Sequence, residues 1–358
     1  MSMFQIIRTW FNRYFSDQEA VLLFFLLLFG FGLVIWMGGI LAPVFASMVI
    51  AYLLDGLVAY LQRLNIPRTP GVILVYSGFL SLFLLSFLIL LPLLWKQVIA
   101  LVVDLPNMMN KGQAILLRLV AQYPEFLSQE QINTLTGELA AESRNWAKAI
   151  LSFSWSSITA LITWMVYLIL VPLLVFFFLK DRNKIVNWGV GFLPDKRGVL
   201  RQVSSEVNDQ IGNYIRGKAI EILVVGCATY LVFWSFQLQY AALLAFLVGI
   251  SVLIPYVGGI VVTIPVLMVA YIQWGFASTL GYCMLAYTIV QALDANILVP
   301  LLFSEAVNLH PIAIIVATLF FGGIWGFWGV FFAIPLATLV KAVLNAWPRS
   351  QKLNNHFV

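Results

Sequence analysis

One carboxylate stands where a membrane-spanning segment tolerates charge least. Asp294 lies in VQALDANILVP, deep in an apolar run, with Gln291 one helical turn before it and Asn296 two residues after it. Placing a carboxylate there costs roughly 2.5–3.5 kcal/mol on insertion scales, so the side chain must face a cavity or a partner. Two roles fit. The group can belong to a polar site that takes a solute, a proton or Na+. It can also tie its helix to the backbone N–H groups of a neighbouring broken helix. The two are compatible, because an open helix end is itself a ligand site. Other chemistry finds no footing. The histidines are His310 and His356, and no His/Cys/Glu group has metal spacing. There is no GxxxxGK[ST] phosphate loop and no G-x-S-x-G elbow. The chain therefore reads as no enzyme, with no cofactor or metal beyond a proton or Na+ that could couple to transport.

The elements that must position Asp294 are two apolar segments broken by glycine. Residues 241–273 contain IPYVGGIVVTIP, and residues 311–343 contain GGIWGFWGVFFAIP. Gly259 and Pro265 of the first match Gly329 and Pro335 of the second at a constant offset of roughly 70 residues, the signature of a repeat. Paired, Gly-interrupted hydrophobic segments point to a transporter's binding site. Candidate contacts are Pro255, Tyr256, Gly258 and Gly259 at the first break and Gly322, Gly323 and Gly326 at the second. Pro265, Pro335, His310 and Pro311 read as structural, His310 chiefly as a helix entry.

The other apolar runs are 21–38, 40–61, 70–95, 154–179, 219–236 and 278–302, each read as a crossing of a ~30 Å hydrocarbon core. Composition requires this: 62% of residues are apolar and 10% charged, with mean hydropathy +0.97. A net charge of +5 does not signal nucleic acid, since the basic residues sit at loop edges without aromatic interleaving. Arg8, Arg13, Arg63, Arg68, the 180–218 segment, Arg349 and Lys352 place both termini in the cytoplasm. The N-terminal stretch lacks the features of a cleavable signal. Asp55 and Glu221 read as interfacial, and Cys227 and Cys283 as buried, inert thiols.

Each arm of a broken segment has about 14 residues, hence about 21 Å as helix, too short to cross alone. Each segment is either one bent crossing or a re-entrant hairpin. The hairpin reading makes 219–236 plus the first segment and 278–302 plus the second an inverted-topology repeat, entered from opposite sides. The predicted fold class is an all-α polytopic membrane protein of about eight membrane segments. Its parts are N-terminal helices (1–95), an extracytoplasmic helical module (96–150), a membrane helix with a cytoplasmic amphipathic helix (151–218), a transport core (219–345) and a cytoplasmic tail (346–358). In the module, Ser128 and Gln131 fit a capping box, with Ile132, Leu135, Leu139, Trp146 and Ile150 as an apolar face. Leu200, Val203, Val207, Ile211 and Tyr214 form a stripe that can lie on the membrane or brace the core.

Several motifs together resemble the autoinducer-2 exporter family of permeases over nearly the whole chain. They are FFFLKDR (176–182), GFLPDKRG (191–198), QIGNYIRGK (210–218), IPYVGG (254–259), QALDANILVP (291–300), LHP (309–311) and WGVFFAIPLATLVK (328–341). Lys218 departs from the glutamine more usual after Arg-Gly. The resemblance implies a transporter of small polar solutes, with export of signal molecules or cation/proton exchange in different members. It also implies a cyclic homo-oligomer such as a pentamer. The expected function is secondary transport in an inner membrane, with lipid and a small polar solute as partners. The alternatives are an oligomeric channel, a monovalent cation/proton antiporter, or a non-transporting scaffold.

Overall fold

The computed structural model describes residues 18–122, 158–192, 198–255, 257–303 and 309–346, together with Gly137, Ala141, Asn145 and Lys148. The described residues form helices and short turns. In order they are α1 (Gln18–Arg63), α2 (Arg68–Leu85), α3 (Leu91–Gln122), α4 (Ile158–Lys180), α5 (Arg182–Val190), α6 (Gly198–Ser235), α7 (Ala241–Ser251), α8 (Val257–Trp274), α9 (Ser278–Leu293), α10 (Val299–Phe303) and α11 (Pro311–Ala346). π-Helical turns at Ser86–Leu90 and Asp294–Leu298 join α2 to α3 and α9 to α10. Among the described residues, six helical stretches are long and apolar enough to cross a membrane, or seven when the bent pair α4–α5 counts as one. Leu82, Leu88, Trp164, Ile169, Leu223 and Leu301 all point outward, which suits a hydrocarbon solvent and not water.

Three expectations need correction. Runs 21–38 and 40–61 are not separate crossings; both lie in the 46-residue helix α1, about 69 Å long. Gly38, at the junction of the two runs, serves packing. A methyl group there would overlap the Trp325 indole nitrogen. Nor is 197–216 a separate surface helix, because α6 runs unbroken from Gly198 to Ser235. Its stripe is covered by protein: Val203 packs with Ala342 and Leu339, and Ile211 and Tyr214 pack with Ile334. Third, Cys283 is buried but Cys227 is exposed on the side of α6. The proposed 96–150 module begins as the continuous helix α3; its capping box and apolar face lie outside the described residues.

The chain divides into two compact units. One holds residues 1–73, 171–219 and 299–358, the other 74–170 and 220–298. In the second unit the core gathers Val225, Phe233, Leu244, Val248, Val266, Val269 and Tyr287. α6 and α7 meet at glycines: a Cβ on Gly249 would stand 3.1 Å from the Ile222 carbonyl oxygen and 3.2 Å from Gly226 Cα. The start of α7 is held by α3, where Gln97 Oε1 accepts from Leu243 N (2.8 Å) and Asp104 accepts from the Tyr240 hydroxyl. The end of α8 returns to that same start. Gln273 Oε1 accepts from Gln239 N at 2.8 Å, and Gln273 Nε2 donates to the Gln237 carbonyl at 2.9 Å.

In the first unit α11 has a non-helical residue at its middle, Gly326 with φ 58° and ψ −135°. In a straight helix Ile314 and Ile334 would sit about 30 Å apart. Here both pack into one cluster around Tyr214 and Phe303. α6 docks on this cluster through small residues, since a Cβ on Gly217 would come within 2.7 Å of the Phe303 ring and one on Gly212 within 2.7 Å of the Tyr52 ring. Tyr214 donates to the Phe331 carbonyl at 3.1 Å.

Candidate functional site

The first glycine-broken segment has a tight tip. After α7 ends at Ser251, Leu253 N and Ile254 N donate back to Ile250 and Ser251 carbonyls at 3.0 Å, and Gly258 N donates to Ile254 O at 2.9 Å. A methyl group on Gly258 would overlap the Ser251 carbonyl oxygen, so this close approach of backbones requires glycine. Pro255 lies in the turn, and Tyr256 lies outside the described residues. Pro265 is accommodated inside α8.

From this tip a chain of polar groups runs to α9. Thr263 Oγ1 donates to the Gly259 carbonyl at 2.6 Å, stands 3.0 Å from the Tyr287 hydroxyl, and Gln291 Nε2 donates to that hydroxyl at 2.7 Å. A hydroxyl carries one proton. Thr263 spends its own on Gly259, so Tyr287 must donate to Thr263 while accepting from Gln291. Donation thus runs Gln291, Tyr287, Thr263, Gly259. Gln291 also faces Gly259 directly, 3.8 Å from where a Cβ would be. Thr263 and Tyr287 were not singled out in the sequence. The signal was present: Thr263 is four residues after Gly259 and Tyr287 four before Gln291, the spacing that stacks side chains on one helix face.

Asp294 opens the π-helical turn that follows, where the helix widens; such turns are frequent at functional sites. Its Oδ1 is buried. Asn296 does not join the Gln291 group: its amide bonds the Ala292 carbonyl at 2.8 Å on an exposed surface. Of the predicted contacts, the structure brings together Gly259 and Gln291, with Gly258 beside them and Asp294 one turn along.

The second broken segment belongs to the other compact unit. A methyl group on Gly329 would overlap the Phe321 carbonyl oxygen, and a Cβ on Gly322 would stand 2.8 Å from Val330 Cγ2. Around Gly326 the described side chains are aromatic. Trp325 meets Phe45 edge-on at 5.1 Å and stacks on Phe332 at 6.1 Å. Gly323 has open space. At the entry, His310 O accepts from Ala313 N at 2.8 Å and His310 Nδ1 from Ile312 N at 3.3 Å, which places His310 as the cap of α11 before Pro311. Pro335 is buried within α11.

Two charged residues read differently in three dimensions. Glu221, expected at the interface, is 2% exposed, and Lys218 is 5% exposed with Nζ 5.1 Å from the Phe303 ring centre. Both are covered by protein along the continuous helix α6. Asp55 is bound on both oxygens, to Arg68 at 3.1 Å and Arg182 at 2.6 Å.

With this geometry in place, comparison with known proteins is decisive. The sequence profile of the AI-2E family transporters matches residues 23–349. The chain belongs to the AI-2E transporter family. It is similar to the protein of Escherichia coli strain K12 named as the permease PerM, at 46% identity over 98% of this chain and 99% of that one. It is also similar to the Bacillus subtilis transport protein YueF, at 26% identity over 86% of this chain and 84% of YueF. A transport protein of Synechocystis matches at 23% identity over 95% and 88% of the two chains. This AI-2E family member is a multi-pass bacterial inner-membrane transporter and not an enzyme. The motifs that carried the resemblance have distinct physical tasks here. QIGNYIRGK is a docking ridge, and IPYVGG and QALDANILVP supply the two ends of the polar chain.

Proposed function

We propose that the protein is a secondary transporter of a small polar solute, and that IPYVGG and GGIWGFWG are the tips of two re-entrant hairpins in an inverted-topology repeat. The observation that carries this reading is the polar chain from Gly259 through Thr263 and Tyr287 to Gln291, which ends one turn before Asp294. A backbone break inside a membrane is tolerated only where protein or a water-filled cavity covers it. A helix start at such a break offers N–H groups to a solute, and the adjacent chain of hydroxyl and amide groups can exchange bonds with it. The return of Gln273 to residues 237–239 supports the first hairpin, and the shared cluster of Ile314 and Ile334 supports the second. The two glycine overlaps, Gly258 with Ser251 and Gly329 with Phe321, support a common design for the tips.

In this reading Asp294 is the coupling group, taking up a proton or Na+ as the protein changes conformation. Cytoplasmic termini and a cyclic homo-oligomer complete the proposal. The test is uptake into proteoliposomes with pH and Na+ gradients imposed separately. Asp294→Asn keeps shape and hydrogen bonding but removes titration. The variant should assemble normally and lose the dependence on one of the two gradients. Gradient-dependent uptake equal to that of the wild-type protein would refute coupling at Asp294.

A further inference from the structure

One element has no part in the transport site, yet its surface calls for a partner. α5 turns 76° away from α4 at Asp181. α4 is a strongly apolar helix that exposes Trp164, Met165, Ile169 and Phe177. A helix that leaves such a span at 76° lies close to the plane of the bilayer. α5 is amphipathic in a way that fits that position. Ile185 and Trp188 share one side at i and i+3, and Phe192 follows in the turn just after the helix; the three are 40%, 71% and 74% exposed. Asn183 and Asn187 occupy the other side, with Lys184 at one margin and the exposed Val186 and Val190 on the opposite flank. Trp188 and Phe192 pack edge-on at 5.0 Å and so present one continuous aromatic surface.

The elbow is locked. Arg68 Nη2 donates to the Leu179 carbonyl, in the last turn of α4, and to Asp55, both at 3.1 Å. Arg182, the first residue of α5, donates to the other Asp55 oxygen at 2.6 Å. One carboxylate on α1 therefore fixes the end of α4 and the start of α5 together. Cations crowd the same place. Lys180 sits over the Phe176 ring at 5.5 Å, and Lys184 pairs with Asp181 at 2.9 Å while its side chain stays 84% exposed. Such an exposed pair is weak and leaves the ammonium available.

We infer that α5 is an in-plane anchor that binds the anionic headgroup layer of the cytoplasmic leaflet. Ile185, Trp188 and Phe192 enter the headgroup–acyl boundary, and Lys180 and Lys184 meet lipid phosphates. Aromatic side chains favour this depth, and basic residues beside an apolar face are attracted by anionic lipid. The Asp55 clamp is a positioning device for the elbow.

Spin labels in the full-length chain test this, with Cys227 and Cys283 replaced by serine. One label goes on Ile185→Cys and one on Asn187→Cys, in nanodiscs of phosphatidylcholine alone or with phosphatidylglycerol. At 185 the label should be reached by oxygen, shielded from an aqueous nickel reagent, and shielded further when phosphatidylglycerol is present. At 187 it should be reached by nickel. Replacing Lys180 and Lys184 with glutamine should remove the effect of phosphatidylglycerol, and raised salt should weaken it. Equal access of nickel to 185 and 187 would overturn the proposal in favour of a solvated helix. Shielding of 185 from both reagents would overturn it in favour of a surface covered by a second copy. An unchanged phosphatidylglycerol effect in the glutamine variant would refute the headgroup contact. Asp55→Asn should abolish the difference between 185 and 187; a difference kept by a folded Asp55→Asn protein would refute the clamp.

Discussion

A single hydroxyl sets the direction of the polar chain at the first break. Tyr287 accepts from Gln291 and donates to Thr263, so removing its oxygen strands a donor on one side and an acceptor on the other. A hydrogen bond of this kind contributes about 0.5–1.5 kcal/mol net, and bonds between membrane helices average about 0.6 kcal/mol. Tyr287→Phe and Thr263→Val should each lower stability by about 1 kcal/mol, with the double variant losing less than the sum because the two share a bond. Thermal unfolding of the purified protein checks this. Uptake falling more than tenfold in either variant would then mark a transport role, because so small a change in stability leaves the protein folded. The sequence made Asp294 and Gln291 legible, since an acid and an amide stand out in an apolar run. It hid Thr263 and Tyr287, which are ordinary residues of such runs and acquire meaning only when α8 lies beside α9. It did not reveal that Glu221 is covered by protein, because packing around a charge at the start of an apolar run depends on which helices lie beside it.

At the scale of elements, three glycines should be costly to replace and a fourth should not. Gly258→Ala and Gly329→Ala each drive a methyl into a carbonyl oxygen of the facing backbone. Overpacking of this sort costs about 1–3 kcal/mol, and no flexible side chain is there to yield. Gly326→Ala should cost about 1–3 kcal/mol for a different reason, its positive φ. Gly323→Ala meets open space and should be silent, which makes it the control for melting measurements. The matched glycines and prolines made both breaks readable from sequence. The fusion of residues 18–63 into one helix was not, because a packing glycine and a turn glycine look alike until Trp325 is seen against Gly38. The base of the first segment offers a pH test. Burial, and then the bond to Asp104, push the Tyr240 hydroxyl up to about 12. A raised acid stabilises the fold below its unfolded value, about 10, and that contribution disappears as pH climbs through about 12. Tyr240→Phe should therefore flatten the loss of thermal stability over that window and leave the neutral-pH profile unaltered in shape.

At the scale of the whole molecule the central question is whether the two tips are reached from opposite sides of the membrane. An inverted repeat demands it, because each hairpin would return to its own face. The two arms differ: α7, with 11 residues, is too short to cross, whereas α8, with 18, is long and apolar enough to do so, so length alone does not decide. For α11, the cluster shared by Ile314 and Ile334 favours a hairpin over a bent crossing. Single cysteines separate the alternatives, and the structure says where they fit without distortion. At Gly259 the nearest atom to a new Cβ is Gln291 Nε2 at 3.8 Å, an ordinary contact, and at Gly323 the space is open. In a background lacking Cys227 and Cys283, Gly259→Cys should react with a small membrane-impermeant thiol reagent added outside the cell. Gly323→Cys should react when that reagent is admitted to the cytoplasmic face, and each position should be protected from the opposite side. Labelling of both from one face would abolish the inverted repeat while leaving the polar chain at α8 and α9 as the site. Resistance of both to every aqueous reagent would mean that the breaks are sealed in lipid or protein, and a solute path through them would have to be abandoned.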